Sequence, residues 1–285
     1  MLDKHAPIAL ETAAPTTPFD DPECLYVALP DTMRTFAAPS VHGWGEIPQG
    51  QTLFSRLAEG LAASQQGLDA PIIDLSVYAP DTRNFIDQVL GEGEISILAD
   101  AVGGRLSISE AVFTGVWRVR HYHDGALRQD YLETGSYPRI LADWAASHDT
   151  PPSFPGVFPE SLMNAPALIH EVFAKSRDFA PGSEEVINLT LLPMTPEDMA
   201  FLVECLGLAG ISILSRGYGE CRIRRTNLPN VWWVQHLNST EQLILNTLEI
   251  IALPTLLMAA PEDLEDSASR LAEVLAGLSQ KSGQE

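Results

Sequence analysis

The strongest constraint on the fold of this chain is an internal repeat. Residues 95–98 read Ile-Ser-Ile-Leu, and residues 211–214 repeat those four letters 116 positions later. The same offset relates further identical leucine, phenylalanine, tryptophan, glycine and proline residues. We therefore interpret residues 70–138 and 186–254 as two copies of one supersecondary unit, which should contain most of the core. We expect the two copies to pack around a pseudo-twofold axis.

Each copy is predicted to contain a strand, a helix and then several short β-rich runs. In the second copy, Thr195 is a suitable N-cap, Pro196 suits the first helical position and Gly207 suits the helix end. The first copy has the same pattern between Pro80 and Gly91. The leading strands are predicted at 72–75 and 187–192. The β-rich runs are 94–99, 105–109, 116–122 and 127–134, then 211–214, 221–225, 231–237 and 243–250.

Two features of the repeat leave alternatives open. The runs 127–134 and 243–250 are short and apolar, so they could also be helical. A constant offset would align Leu106 with Arg222, which indicates a local slip near Gly103 and Gly104. Trp117 aligns with Trp233 at that offset and is expected to lie in the core.

The flanking segments complete an α+β chain, which we divide into five parts. Residues 1–50 are proline-rich and should form an extended arm with one short strand at 24–29, because proline disrupts helices. Residues 51–150 hold a leading helix and the first repeat. Residues 151–185 hold a linker and a helix at 159–174, and residues 186–255 hold the second repeat. Residues 256–285 hold a C-terminal helix at 261–278 and a polar tail.

The charge balance excludes some classes of partner. The net charge is −21, with 38 acidic residues against 17 basic ones. Nucleic acids require a cationic face, and anionic membranes are disfavoured for the same reason. The acidic excess either keeps a cytoplasmic protein dispersed by self-repulsion or receives a basic partner, such as an arginine-bearing leader. No apolar run has the length of about 20 residues that a membrane span requires.

Cysteine usage and the N-terminal sequence also indicate a cytoplasmic protein. Only Cys24, Cys205 and Cys221 occur, and their spacing provides neither a disulfide framework nor a four-thiolate site. The first residues lack the basic start and apolar core of a secretory signal. Cys205 lies on the apolar stripe of a predicted helix and is expected to pack in the core.

Three clusters are candidates for binding a partner. Gly91-Glu92-Gly93-Glu94 is either a carboxylate-bearing loop for a basic ligand or a helix end followed by a solvated turn. Arg216-Gly217-Tyr218-Gly219, with Cys221 beyond it, is either a recognition loop or a hairpin turn. Trp232 and Trp233 must point to opposite faces of a strand. One of them can fill the core, and the other must contact a second layer, a partner or solvent.

No sequence motif of a known enzyme class is present, and we expect neither a catalytic residue nor a resident cofactor. His121 and His123 share a strand face and could bind metal, but a surface pair without a third ligand is the more economical interpretation.

The three clusters together resemble the HupH/HyaF family of hydrogenase expression proteins. The resemblance lies in residues 90–96, 215–223, 230–235 and 244–247. It implies an accessory role in the maturation of [NiFe] hydrogenases, with no established catalytic residues. Proteins of this family are thought to assist the iron–sulfur small subunit before its twin-arginine export, alongside a second small-subunit chaperone. The matching positions are Gly91, Glu92, Gly93, Glu94, Arg216, Gly217, Tyr218, Gly219, Cys221, Trp232 and Trp233.

Two other functions remain as alternatives. The chain could deliver or repair iron–sulfur clusters, with Cys221 acting together with thiolates of a partner or of a second copy. It could also be an enzyme with an unrecognised site, which a deep pocket with shifted pKa values would support.

Overall fold

The computed structural model describes residues 48–68, 70–101, 104–147, 152–208, 210–217 and 219–281. Within these ranges the chain is an α+β protein with six α-helices and one ten-stranded antiparallel sheet. The helices are α1 (Pro48–Gln65), α2 (Pro80–Leu90), α3 (Arg139–Ser147), α4 (Ala165–Arg177), α5 (Pro196–Leu206) and α6 (Pro261–Lys281).

The strands of the first half of the sheet are β1 (Ile73–Asp74), β2 (Ile95–Ala101), β3 (Gly104–Glu110), β4 (Val116–His123) and β5 (Ala126–Thr134). Those of the second half are β6 (Glu185–Asn188), β7 (Ile211–Arg216), β8 (Glu220–Arg225), β9 (Val231–Leu237) and β10 (Leu243–Ile250). The helical alternative for 127–134 and 243–250 is wrong, because these residues form β5 and β10 and pair with β4 and β9.

The strand order across the sheet is β1-β5-β4-β3-β2-β7-β8-β9-β10-β6. At its centre β2 pairs with β7, and Ile97 lies directly opposite Ile213. These are the third residues of the two Ile-Ser-Ile-Leu segments. The order therefore reads the same from either edge when β1–β5 are exchanged for β6–β10.

One face of the sheet is apolar. Ile97, Ile213, Ile108 and Ile223 lie on this apolar face, and each is at most 2% exposed. Their cluster also contains Leu141 of α3. This packing follows from the period-two alternation of the strands, which places every second side chain on the same face.

The opposite face carries two separate helical layers. Leu132 of β5 packs with α1, α2 and α6 at one side. Leu248 of β10 packs with α4 and α5 at the other side. The central strands between these layers are not part of either cluster, so the opposite face is left partly open there.

Three predicted elements have different boundaries in the structure. The strand expected at 187–192 ends at Asn188, whose side chain accepts a hydrogen bond from the amide of Thr190 (3.0 Å) and starts a short 3₁₀ turn. The helix expected at 159–174 begins only at Ala165. Residues 48–50, expected in the arm, belong to α1. The remainder of the arm, with its expected strand at 24–29, lies outside the described residues.

Asp198 joins α5 to the start of α4. Its amide donates to Thr195 Oγ1 (3.0 Å) and its Oδ2 accepts from the Thr195 amide (3.2 Å), so the two residues form a capping box in which Thr195 is the predicted N-cap. Its Oδ1 also accepts from the amides of Met163 (2.9 Å) and Ala165 (3.0 Å), where α4 begins. One buried carboxylate therefore satisfies amide donors at two helix starts, which explains why α4 begins where it does.

In the structure, the tryptophan equivalent to Trp117 is one residue away from the one that the constant offset of 116 positions predicts. Glu110 pairs with Trp117, whereas Arg225 pairs with Trp232. Trp117 Nε1 donates to the carbonyl of Gly135 (3.0 Å), and Trp232 Nε1 donates to that of Ile251 (3.1 Å). The structural counterpart of Trp117 is therefore Trp232 rather than Trp233. The slip occurs between β2 and β3, as the mismatch at Leu106 indicates.

Candidate functional site

The first glycine-rich segment connects α2 to β2. Gly91 ends α2 with a φ of 54°, and its amide donates to the carbonyl of Asp87 (3.0 Å). The amide of Gly93 donates to the carbonyl of Glu110 (2.8 Å), and a side chain at this position would collide with the carbonyl oxygen of Ala111. The glycines therefore have a backbone role, whereas the side chains of Glu92 and Glu94 are exposed.

The structure brings the second glycine-rich segment alongside the first. Because β2 and β7 are antiparallel, the start of β2 lies beside the end of β7. The amide of Arg216 donates to the carbonyl of Glu94 (3.0 Å). A Cβ atom at Gly217 would lie 2.8 Å from Glu94 Oε2. The carboxylate of Glu94 thus lies against the backbone of Gly217, and any larger residue there would displace it.

Two further positions complete this end of the sheet. A Cβ atom at Gly219 would lie 2.7 Å from the carbonyl oxygen of Leu237, so the hairpin between β7 and β8 passes close to β9. Tyr218 lies outside the described residues. We refer to Gly91–Glu94 together with Arg216, Gly217 and Gly219 as the paired-loop region.

A buried carboxyl group lies beneath the paired-loop region. Glu110 is 7% exposed, and its Oε1 accepts a hydrogen bond from the amide of Gly115 (3.4 Å). Burial raises the pKa of Glu110 to about 7, since the Gly115 hydrogen bond only partly offsets it and the charges of Glu94 and Asp263 add to it. The negative charge of the region therefore comes mainly from the exposed carboxylates of Glu92 and Glu94, which would attract cationic side chains.

Of the alternatives that the sequence leaves open for the two adjacent tryptophans, the structure shows contact with a second layer of the protein. Trp232 and Trp233 are both fully buried. Trp232 packs on the apolar face, and Trp233 packs with α4 and α5 and donates from Nε1 to Asn246 Oδ1 (2.7 Å). They do point to opposite faces, but a second layer of the protein itself covers each indole.

Cys221 is also poorly suited to contact a partner. It is 5% exposed, and its Sγ lies 3.8 Å from Nε2 of His236. Burial, with smaller contributions from the charges of Glu249 and Glu220, raises the pKa of the Cys221 thiol to about 12. Thiolates, rather than thiols, ligate iron. These observations argue against cluster delivery through Cys221. Cys205 of α5 is half-buried and packs at the margin of the α4–α5 cluster.

Among the described residues, no group of three or more His, Cys, Asp or Glu side chains is placed to hold a metal ion. His121 Nδ1 lies 3.4 Å from Gln129 Oε1, and His123 Nε2 lies 3.5 Å from Asp124 Oδ2. Each histidine therefore has a separate polar neighbour. None of the described helices combines the length and apolar composition needed to cross a bilayer.

Sequence reasoning missed two features of this surface. Glu110 follows no motif, and it is buried where the end of β3 pairs with the start of β4. A cleft of about 610 Å³ at the opposite end of β2 is lined by Asp100, Arg105 and Tyr122, among others. Arg105 donates from Nε to Asp100 Oδ1 (2.6 Å), so an ion pair forms part of the cleft wall.

The protein is thus an α+β protein with a continuous antiparallel sheet. At one end of the sheet, two glycine-rich loops expose carboxylates above a buried carboxyl group. The model of the "HupH hydrogenase expression protein, C-terminal conserved region" matches residues 48–153 and 162–278. The chain therefore belongs to the HupH hydrogenase expression protein family, as its motifs indicate. It follows that the chain is an accessory factor in hydrogenase maturation.

Relatives of known designation cover nearly the whole chain. The hydrogenase expression/formation protein HoxQ of Cupriavidus necator is 38% identical and covers 94% of this chain and 96% of the relative. HupH of Rhodobacter capsulatus is 40% identical, over 90% of this chain and 92% of the relative. The hydrogenase-1 operon protein HyaF of Escherichia coli is 38% identical, over 86% of this chain and 88% of the relative.

A solved structure of the hydrogenase expression protein HupH from Thiobacillus denitrificans is also similar in sequence. It is 27% identical and aligns with 40% of this chain and 97% of its own, with a TM-score of 0.38. The family assignment rests on the family model and the sequence relatives.

Proposed function

We propose that this chain is a non-enzymatic chaperone for the iron–sulfur small subunit of a [NiFe] hydrogenase. It would bind the small-subunit precursor in the cytoplasm before twin-arginine export, alongside a second small-subunit chaperone. The family membership supports a hydrogenase client. The observation that carries the proposal is the contact between the two glycine-rich loops, which exposes Glu92 and Glu94 at one end of the sheet.

The chemistry of this region suits an arginine-bearing leader. Arginine pairs with carboxylates through two parallel N–H donors, which makes the contact directional as well as attractive. Glu92 and Glu94 are exposed, so they can reach a ligand without unfolding of the sheet. The net charge of −21 would add long-range attraction for a basic segment and speed its association.

We also propose that the two halves of the sheet derive from one duplicated unit. The palindromic strand order, the central Ile97–Ile213 pair and the matched hydrogen bonds of Trp117 and Trp232 support this origin. The paired-loop region is one place where the halves differ, since Glu92 and Glu94 have no acidic counterparts at Leu208 and Gly210. Divergent loops on a shared framework are the natural sites of a specific function.

A co-purification experiment tests the chaperone role. A tagged copy of the chain would be expressed with the small-subunit precursor, with and without the second chaperone, and isolated under anaerobic conditions. We expect the precursor to co-purify with the chain, and removal of the leader to reduce its recovery. Failure to recover the precursor under either condition would contradict the proposal. An iron-free, colourless chain that still binds the precursor would separate a chaperone from a cluster-delivery factor.

A further inference from the structure

Arg216 lies in the middle of a row of charged side chains in the paired-loop region. The register of the sheet pairs Ile95 with Ser215. The next residues along these two strands, Glu94 and Arg216, therefore lie opposite each other. On its other side, Arg216 pairs with Glu220 of β8. Directly opposed residues of antiparallel strands share one face and have Cβ atoms about 4.5–5.5 Å apart, so the guanidinium group of Arg216 has a carboxylate within reach on each side.

Glu220 holds Arg216 less closely than it holds Arg222. Its Oε1 accepts a hydrogen bond from Nε of Arg222, whereas its Oε2 lies 4.0 Å from Nε of Arg216. The side chain of Arg222 is 19% exposed, and that of Arg216 is 31% exposed. Long ion pairs in contact with solvent are weakened by water and salt. Arg216 is therefore the cation of this row that a ligand can displace more easily.

The backbone around Arg216 does not depend on its charge. At the offset of 116 positions, Arg216 corresponds to Asp100, and Glu94 corresponds to Gly210. The amide of Asp100 donates to the carbonyl of Gly210 (2.7 Å), as that of Arg216 does to the carbonyl of Glu94 (3.0 Å). Because Gly210 has no side chain, β2 and β7 pair at that end without an ion pair between these positions. The charges of Glu94 and Arg216 can therefore serve another purpose than holding the strands together.

Glu94 is placed so that a ligand and Arg216 can reach the same carboxylate. Its Oε2 would lie 2.8 Å from a Cβ atom at Gly217, so the carboxylate rests on the loop backbone next to Arg216. The side chain of Glu94 is also exposed to solvent. A bidentate pair with one guanidinium group engages both oxygens of a carboxylate. An arginine that arrives from solvent must therefore compete with Arg216.

We propose that Arg216 is an internal competitor for the arginines of a bound leader, an inference that rests on the proposed chaperone function. In the free chain, the guanidinium group of Arg216 neutralises part of the charge of Glu94 and Glu220. When the leader binds, one of its guanidinium groups takes the place of Arg216 at Glu94, and Arg216 stays beside Glu220. The competition lowers the affinity for the leader, which suits a chaperone that must release its client for export.

The affinity of Arg216→Gln for the small-subunit precursor tests this inference. The native chain and the variant would each be titrated into the labelled precursor, with binding followed by fluorescence anisotropy. We expect the variant to bind about threefold more tightly, because an exposed ion pair no longer has to be broken. Its affinity should also fall more steeply as salt is added, since more carboxylate charge faces the leader. Arg216→Met, which keeps an unbranched apolar side chain, should have the same effect.

Arg177→Gln is the matched control. Arg177 is 74% exposed and pairs with Asp178 at the end of α4, outside the paired-loop region. The substitution changes the net charge by the same amount as Arg216→Gln. We expect it to leave the affinity for the precursor unchanged, which separates local competition from the overall charge of the chain.

A precursor with glutamine in place of both leader arginines locates the competition. We expect the native chain to bind this precursor more weakly, and Arg216→Gln to give no improvement, because no guanidinium group then competes with Arg216. In a Glu94→Gln background, Arg216→Gln should also improve binding of the native leader less, since the shared carboxylate is gone. Such non-additivity is the signature of two residues that act at one site.

Three results would overturn this inference alone. These are equal or weaker binding by both Arg216 variants, an equal gain from Arg177→Gln, or a gain that persists with the glutamine leader. Absence of binding by the native chain and by both Arg216 variants would overturn the proposed function, and this inference with it. Thermal unfolding of each variant, measured beside its binding, shows whether a change in affinity comes from the site or from the fold.

Discussion

The amide of Arg216 donates a hydrogen bond to the carbonyl of Glu94 across 3.0 Å. These residues are far apart in the chain, yet this contact joins the loop after α2 to the hairpin after β7. It exists because β2 and β7 pair at the centre of the sheet. The exposed carboxylates of Glu92 and Glu94 are thereby carried on a rigid framework, which favours precise binding of a partner.

Substitution of Asp198 should destabilise the fold strongly. Burial alone would raise the pKa of Asp198, but hydrogen bonds from the amides of Ala165, Thr195, Asn164 and Met163 lower it below its usual range. Asp198→Ala leaves these donors without an acceptor, and we expect the free energy of unfolding to fall by about 2–4 kcal/mol. Urea denaturation measures this change.

The contribution of Asp198 to folding stability should also depend on pH. Because its pKa is lower in the folded state, its stabilisation is present above the unfolded pKa of about 3.9 and is lost as the pH falls through the folded value. The difference in stability between the native chain and Asp198→Ala should therefore narrow in acid. A difference that stays constant down to the lowest pH tested would show that the charge of Asp198 does not contribute.

Glu110→Gln should stabilise the protein at alkaline pH. The pKa of Glu110 is raised to about 7, so the folded state holds a proton that the unfolded chain releases near pH 4.3. Stability is therefore lost as the pH rises between these values, by about 4 kcal/mol at most. Glutamine mimics the protonated form and retains an oxygen for the Gly115 amide.

Unfolding of Glu110→Gln and of the native chain at pH 5 and pH 8 checks this prediction. We expect the variant to gain relative stability as the pH rises. If the native chain has the same advantage over the variant at both pH values, the carboxyl group is not protonated in the folded state. Glu204→Gln, which changes an exposed residue of α5, is the matched control.

Trp232→Phe should lower stability without changing the affinity for a partner. The indole is fully buried and donates to the Ile251 carbonyl (3.1 Å). Loss of that hydrogen bond and of part of the ring should lower the free energy of unfolding by about 2–3 kcal/mol. Trp117→Phe removes the matching bond to Gly135 and should have a similar cost. A large loss of precursor affinity at unchanged stability would restore Trp232 as a partner contact.

Cys221 should react slowly with alkylating reagents. Its pKa of about 12 means that very little thiolate is present at neutral pH. We expect iodoacetamide, followed by mass spectrometry, to modify Cys205 before Cys221 in the folded chain. Rapid modification of Cys221 at neutral pH would show that the thiol opens to solvent and would revive the cluster-delivery alternative.

The sequence predicted the local elements well because they follow from local chemistry. The Thr195 cap, the proline that follows it and the glycine that ends α5 fix that helix within one residue. Proline at the start and glycine at the end also determine the boundaries of α2, which has no side-chain cap. The strands follow from alternation of apolar residues, which is also local.

The features that the sequence did not predict depend on contacts between distant segments. α4 begins at Ala165 because Asp198, 33 residues later, accepts its first amides. α3 was not predicted, and Leu141 shows that its role is to cover the apolar face. The tryptophans were misaligned because a one-residue slip reverses which side chain lies on which face. The contact between Glu94 and Arg216 requires the pairing of β2 with β7, so no local pattern indicates it.

The most direct test of the proposed function is the dissociation constant for the small-subunit precursor. It would be measured by isothermal titration for the native chain, for Glu92→Gln with Glu94→Gln, and for a control with Glu204→Gln and Glu273→Gln, which are exposed and lie on α5 and α6. We expect the loop variant to bind about fivefold more weakly and with a smaller dependence on salt, and the control to bind as the native chain does. Equal dissociation constants for all three would contradict binding through the paired-loop region.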